Sequence, residues 1–378
     1  MHRSNLLKTF SDNFNEIINE NKHRTPRITL RDVNASIGAK PFVVYGAGEF
    51  CSIALRECES AGISVSCICD TFKTGKFDYG GKEYDIISPK ILGEKLKSAI
   101  IGISSYQYER EIVEILKNIG FSGNQMVYIR PDLTMSLDEF SSKHKDGYEW
   151  AYNFFEDSLS KQLVINKVRL ILNDQAIEPT TDRDIYFDDS ILPLNTNEVF
   201  VDGGAYDGMN TKGFLEKAQS VKHVYAFEPD EINYKNTIKN LAEMTNVTVV
   251  PKGLWNTEEQ LEFVRNEESL QGSSFIFTSS TSTYHRVSVT SLDKYFCQTE
   301  DNLLPTFIKM DIEGSEREAL RGSTEILRKC KPKLAICAYH KPEDFYELPR
   351  TIYEIRDDYK LTLRQHAYGY IDTVLYAV

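Results

Sequence analysis

The residue types able to do chemistry gather at three places in the second half of this 378-residue chain. Val201-Asp202-Gly203-Gly204-Ala205-Tyr206-Asp207-Gly208 stands where a β-branched run gives way to a helical pattern. Its glycines let a turn approach a ligand closely, and free amides at a helix start serve an anionic or polar group. A dinucleotide site would carry G-x-G-x-x-G at this point. Here an acid precedes the glycines, and a carboxylate at a strand tip suits a cationic amino group such as an amino-acid tail. Beyond the next strand-like run comes Ala226-Phe227-Glu228-Pro229. Glu228 lies 26 residues after Asp202, the length of one β-α-β unit. An acid there accepts the two hydroxyls of a ribose, and Pro229 turns the chain sharply away.

A ligand with an amino-acid end and a ribose end is S-adenosylmethionine, whose sulfonium carries an activated methyl group. The third place fits an acceptor for it. In Phe307-Ile308-Lys309-Met310-Asp311-Ile312-Glu313-Gly314, alternation puts Lys309, Asp311 and Glu313 on one side of a strand. Unpaired charges are costly in mid-sheet, whereas strand carboxyl ends face the ligand crevice of an open α/β sheet. Lys309 and Glu313 either pair with one another or serve that crevice. His340 and Lys341 end the following strand-like run at the same edge. In-line displacement needs an acceptor oxygen about 3 Å from the methyl and a group to take its proton. With an ordinary pKa of about 6.5, His340 is mostly neutral at pH 7 and is the expected base. Asp311 is expected beside the methyl group. The expected catalytic set is His340, Asp311, Glu313, Lys309 and Lys341. Asp311, Glu313, His340 and other acids could also form an oxygen-rich cluster of the kind Mg²⁺ accepts. No dedicated ligand spacing marks a metal site.

These residues carry a resemblance. VDGGAYDG, AFEPD, FIKMDIEGSEREALRG, LAICAYHKPEDFYELP and the closing TVLYAV resemble the FkbM-type family of class I S-adenosylmethionine-dependent methyltransferases, over about Glu198 to Val378. The resemblance implies a seven-stranded sheet with an antiparallel last strand, and methyl transfer usually to oxygen. Carried over, Asp202, Gly203, Gly204, Ala205 and Gly208 would shape the methionine end of the pocket. Glu228, with Pro229 after it, would hold the ribose, and Gly253, Leu254 and Trp255 would border the adenine. Tyr206 stands where the family commonly has Asn.

The elements that must position these residues follow from the hydrophobic pattern. From about Phe187 to Val378, strand-like and helical runs alternate and end in two strands joined by a short turn, the pattern of a covered parallel sheet closed by a hairpin. LEFVRNE and SSFIF have hairpin character, and Pro349 interrupts a helical run. A similar alternation runs from Pro41 to about Pro131. We expect a helical arm over 1–40, a Rossmann-like nucleotide- or sugar-type module over 41–135, a helical connector over 136–186 and the methyltransferase domain over 187–378. Tyr148, Trp150, Tyr152, Phe154 and Phe155 of the connector read as packing. The fold class is α/β with two Rossmann-like domains.

In the first module, Val43-Val44-Tyr45-Gly46-Ala47-Gly48-Glu49-Phe50-Cys51 begins as a dinucleotide fingerprint, and Asp70 follows Gly46 by 24 residues. Cys51 replaces the third glycine. Gly46, Gly48 and Asp70 are the candidates for a second nucleotide site. The run GGKEYDIISPKIL resembles small Rossmann-like modules attached to sugar-modifying and sugar-transferring enzymes. That module could bind a nucleotide or nucleotide-sugar, hold the acceptor, or act as a scaffold.

Composition excludes several classes. The chain has 44 Lys+Arg against 56 Asp+Glu, net −12, and 41% apolar residues, as in a globular protein. Residues 1–135 hold 17 basic and 16 acidic side chains, and residues 136–378 hold 27 and 40. A net −13 there repels polyphosphate, so nucleic acid is not an expected partner. No apolar run reaches the roughly 18–20 residues of a membrane span, and the first residues lack signal-peptide character. Seven cysteines, an odd number without a C-x-x-C pair, read as thiols of a reducing cytoplasm, including the close set Cys51, Cys58, Cys67 and Cys69. The expected activity is a cytoplasmic methyltransferase that modifies carbohydrate, methylating a sugar hydroxyl of a glycan or nucleotide-linked precursor, with a homo-oligomer compatible. Two rivals stay open. One is an NAD-dependent oxidoreductase or epimerase working through the first module, which lacks a suitable Y-x-x-x-K pair. The other is a non-catalytic nucleotide-binding or interaction protein on a retired methyltransferase fold.

Overall fold

The computed structural model describes residues 8–22, 30–48, 50–105, 108–129, 134–218, 220–265, 283–298 and 303–378. SSFIF lies outside the described residues. The chain forms two compact units, His23–Leu133 and Met1–Lys22 with Thr134–Val378.

In the smaller unit, the strands are β1 (Phe42–Tyr45), β2 (Val65–Cys69), β3 (Gly75–Tyr79), β4 (Lys82–Ile87), β5 (Ile100–Ile103) and β6 (Met126–Tyr128), in the sheet order β3-β4-β2-β1-β5-β6. All pairs are parallel except the β3–β4 hairpin. Gly80 and Gly81 supply its turn, both at positive φ, as a two-residue loop between twisted strands requires. β1 is buried along its length, as a central parallel strand must be. Val44 packs with Cys51, Leu55 and Cys58 on one face, and Val43 and Tyr45 pack with Cys67, Cys69 and Leu116 on the other. Burial pushes the Cys51 and Cys58 thiols up to about 12, so they behave as apolar core.

The N-terminal arm is divided. Helix Leu30–Ile37 turns Leu30, Val33 and Ile37 onto the first of these cores. Helix Phe10–Lys22 belongs to the larger unit, where Phe10 packs on Tyr152 and Phe14 on Phe140. The aromatic connector is its partner. Tyr148 and Phe155 are buried, and Trp150 stacks on Phe154.

The larger unit contains β7 (Glu198–Gly203), β8 (Val221–Phe227), β9 (Val247–Val250), β10 (Gly253–Leu254), β11 (Glu259–Arg265), β12 (Thr283–Thr290), β13 (Phe307–Met310), β14 (Lys333–Cys337), β15 (Leu361–Gln365) and β16 (Thr373–Ala377). Seven of them form a sheet in the order β15-β16-β14-β13-β7-β8-β9, while β10, β12 and β11 make a small second sheet. β16 is antiparallel to both neighbours, and the strands from β14 across to β9 are parallel. Phe200, Phe214 and Phe307 fill the core on one face. Two details differ from the sequence pattern. SEREALRGSTEILRKC is two helices, Glu316–Arg321 and Thr324–Cys330, parted at Gly322, where a Cβ would lie 2.2 Å from the Trp255 carbonyl oxygen. Helix Asp344–Ile355 runs unbroken through Pro349, held by buried Phe345, Leu348 and Ile352.

One register positions the site. Lys309 of β13 lies opposite Asp202 of β7, and Met310 opposite Gly203.

Candidate active site

The glycine turn after β7 is held from both sides. The N–H groups of Gly204 and Ala205 donate to the Phe227 carbonyl, at 3.1 and 3.0 Å. Gly204 has φ +79°, and a Cβ on it would lie 1.9 Å from the Asp311 carbonyl oxygen, so only glycine fits. Tyr206 also adopts positive φ, and its N–H donates to Glu228 Oε2 at 2.8 Å. Glu228 Oε1 accepts from Asp230 N at 2.9 Å. Burial pushes the Glu228 carboxyl up to about 7 against these two donors. Beyond Pro229, Asp230 caps helix Glu231–Asn240 through the N–H groups of Ile232 and Asn233.

Asp202 and Lys309 are both fully buried. The Lys309 ammonium donates to Asp202 Oδ1 (2.9 Å), Gly204 O (2.8 Å) and Gly203 O (3.2 Å), and Thr211 Oγ1 donates to Asp202 Oδ2 (2.7 Å). This corrects two expectations. Asp202, 0% exposed and held by Lys309 and Thr211, lies beneath the turn and does not reach the surface a ligand's amino group would meet. Lys309 pairs with Asp202 and not with Glu313, and its ammonium ties β13 to the glycine turn.

Asp311 follows β13 directly. Its N–H donates to Gly203 O (3.0 Å), and its carboxylate accepts from Tyr186 Oη (2.8 Å) and Tyr339 Oη (3.2 Å). Burial would raise its pKa, but Lys309 and His340 outweigh that and hold the carboxyl below its ordinary value. Glu313 sits at φ +56°, past the strand end. Burial pushes its carboxyl up to about 8, with His340 opposing and Asp311 adding to the rise.

His340 stands among acids. Its Nδ1 is 3.1 Å from Glu316 Oε1, and its Nε2 is 3.5 Å from Asp311 Oδ1 and 3.7 Å from Glu313 Oε2. Burial would lower its pKa, but Glu316, then Asp311 and Glu313, lift it to about 10. The expected neutral base is therefore an imidazolium at neutral pH. Lys341 enters this network through its backbone, whose N–H donates to Asp344 Oδ2 at 2.7 Å. Glu316, Tyr186 and Tyr339 were not singled out from sequence. Glu316 and Tyr339 sit inside the recognised motifs, whereas Tyr186 comes from the end of the connector with no motif around it.

Gly253 and Leu254 are buried beside the turn, and a Cβ on Gly203 would meet Leu254 Cδ1 at 2.7 Å. Trp255 packs, as Leu261 does, against the pair Val287 and Val289, and its backbone N–H donates to Thr290 O at 2.9 Å. In the smaller unit, Gly46 has φ +116° and Gly48 has open space about its Cβ position. Asp70 accepts from the N–H groups of Ala47, Phe72 and Lys73, each at 2.8 Å. It thereby ties the loop after β2 to the loop after β1.

Residues 202–371 match the family model described as the Methyltransferase FkbM domain. The C-terminal domain belongs to the FkbM methyltransferase family. The chain is also similar to the crystal structure of methyltransferase FkbM from Methylobacillus flagellatus KT, at 23% identity and a TM-score of 0.65, over 97% of this chain and 99% of that one. Precorrin-6y C5,15-methyltransferase from Geobacter metallireducens GS-15 is similar at 12% identity and a TM-score of 0.33, over 50% of this chain and 84% of the other. A search of curated protein sequences finds no match. The sheet order of the FkbM domain, with its antiparallel β16, is that of a class I methyltransferase. Among the described residues, no helix is long and apolar enough to cross a membrane.

Proposed function

We propose that the FkbM domain uses S-adenosylmethionine to methylate an oxygen, with a sugar hydroxyl of a glycan or nucleotide-linked precursor as acceptor. The observation that carries this reading is the meeting at Asp311 of a ligand-shaping glycine turn and an acid-rich cluster. Its N–H bonds Gly203, and its carboxylate faces His340. Bound at the turn, S-adenosylmethionine supplies a methyl group already activated for displacement. Glu228 has lone pairs left on both oxygens for ribose hydroxyls, because each accepts one backbone N–H. The backbone of Gly204–Gly208 would line the amino-acid end, and Gly253–Trp255 the adenine. Asp202 acts behind the turn.

On the acceptor side, His340 does not take a proton while it is an imidazolium. Asp311, 22% exposed and held ionised by Lys309 and His340, is the carboxylate placed to receive the hydroxyl hydrogen, with Glu313 beside it. The imidazolium offsets their mutual repulsion. The net −13 of residues 136–378 favours a cationic donor and a neutral acceptor over a polyanion. The sugar assignment is supported further by the resemblance of the first module to those of sugar-modifying enzymes.

Calorimetric titration of the full chain with S-adenosylmethionine and S-adenosylhomocysteine tests the donor, and absence of binding at millimolar ligand refutes it. Transfer of labelled methyl to glycan and nucleotide-sugar fractions tests the acceptor. An ether-linked label resists mild alkali, and an alkali-labile ester would refute the hydroxyl reading.

A further inference from the structure

At the ends of β13 and β14, ligand atoms of Asp311, Glu313 and His340 all lie within 4.8 Å of one another. The individual separations are informative. Hydrogen bonds between a ring N–H and a carboxylate close to about 2.7–2.9 Å. His340 Nε2 instead stands 3.5 Å from Asp311 Oδ1 and 3.7 Å from Glu313 Oε2. Two donors each about 2.1 Å from one cation are roughly 3.0 Å apart at octahedral angles and roughly 3.4–3.6 Å apart at tetrahedral to trigonal ones. The gaps exceed a hydrogen bond and need only a small inward movement of the carboxylates for the donors to share an octahedral ion.

The imidazole is prepared on its other side as well. Glu316, 1% exposed, lies against Nδ1, and the Ile312 N–H holds that carboxylate at 2.9 Å. A carboxylate beside Nδ1 favours a proton on that nitrogen and leaves Nε2 as the ligating atom, the arrangement of metal-ligating histidines. Both ring nitrogens of His340 are buried, on a side chain 6% exposed, and neither makes a hydrogen bond, so Nε2 is left to the gap between Asp311 and Glu313. Tyr186 and Tyr339 orient Asp311 from behind.

We propose that Asp311, Glu313 and His340 form a divalent-cation site. One imidazole and two carboxylates favour a first-row ion such as Mn²⁺ over the Mg²⁺ that an all-oxygen set would select. The ion takes the place of the proton on Nε2, so the cluster keeps a positive centre among its acids. Its remaining positions open on the side where Asp311 and Glu313 are exposed. The inference rests on the methyltransferase reading only for the consequence that an acceptor oxygen completes the coordination.

The test uses the full chain, stripped with chelator and titrated with Mn²⁺, with free Mn²⁺ followed by electron paramagnetic resonance. One Mn²⁺ per chain is expected. Glu313→Gln and His340→Gln should each weaken binding at least tenfold, and the double variant should abolish it. Circular dichroism confirms that each variant is folded, and Glu313 is the most exposed of the three ligands. No binding by the wild type at millimolar Mn²⁺, or undiminished binding by the folded double variant, overturns the site. S-adenosylhomocysteine titration of the same samples keeps the two ideas apart, since its failure refutes the donor reading and leaves the Mn²⁺ result standing.

Discussion

Replacing Lys309 with Met leaves the Asp202 carboxylate fully buried with Thr211 as its remaining side-chain donor, and removes donors from the carbonyls of Gly203 and Gly204. Breaking a buried ion pair by deleting one partner costs about 3–5 kcal/mol, because the other charge stays behind. A kcal/mol shifts a melting midpoint by roughly 2–4 °C in domains of 150–250 residues. The lower end applies to the larger unit, so Lys309→Met should lower its midpoint by roughly 6–10 °C. Asp202→Asn added to Lys309→Met removes the stranded charge and should recover most of the loss. The pH dependence follows from the direction of the Lys309 shift. Burial would lower its pKa, but Asp202 and Asp311 outweigh that and raise it above 10.5. A raised value means the stabilisation is complete below about pH 10.5 and is lost only as pH passes the higher folded value. The deficit of Lys309→Met should therefore stay constant between about pH 6 and 9. Scanning calorimetry of the full chain measures all three quantities. A single variant within about 1 kcal/mol of wild type, or a double variant whose losses simply add, would refute the strut.

Glu228→Gln should weaken S-adenosylhomocysteine binding roughly 10–150-fold, the loss of about 1.5–3 kcal/mol for hydrogen bonds to a charged group, with the fold retained in calorimetry. The same variant tests the pH linkage. The folded carboxyl, at about 7 against 4.5 when unfolded, contributes stability that is complete below pH 4.5 and lost as pH rises through about 7. Glu228→Gln should gain on wild type across that window, and a pH-independent difference in midpoint would contradict the assignment. Gly204→Ala should lower the midpoint and cut S-adenosylhomocysteine binding at least tenfold, because its Cβ meets the Asp311 carbonyl and its φ is positive. Gly213→Ala, a helical position with nothing near its Cβ, should be neutral or stabilising by up to about 1 kcal/mol.

The sheet was legible in the sequence because strand, turn and helix each leave a local pattern. Val201 to Gly208 reads as strand, turn and helix start from its own residues, and β7 and the helix Met209–Lys217 occupy those places. What escaped depends on pairs distant in the chain. The partner of Lys309 is set by a register between strands 107 residues apart, which no periodicity reports. The raised pKa of His340 depends on Glu316, at the start of helix Glu316–Arg321, a neighbour that the isolated imidazole in the sequence does not reveal. Tyr186 reaches Asp311 from 125 residues upstream. The break at Gly322 reflects the close approach of the Trp255 backbone, again a tertiary fact. The division of the N-terminal arm reflects which core each amphipathic helix meets, and the helical pattern is silent on that choice.

Asp311 belongs to both halves of the site at once. Its amide and carbonyl press on Gly203 and Gly204, and its side chain reaches the tyrosines and His340. Only a residue without a side chain lets the two loops lie this close, since a Cβ on Gly204 would stand 1.9 Å from the Asp311 carbonyl oxygen. A donor that favours one position of the glycine turn would act on the acceptor side through Asp311, and thermodynamic reciprocity requires the same factor in return. The affinities of the two ligands should therefore be linked, which titration of each in the presence of the other measures.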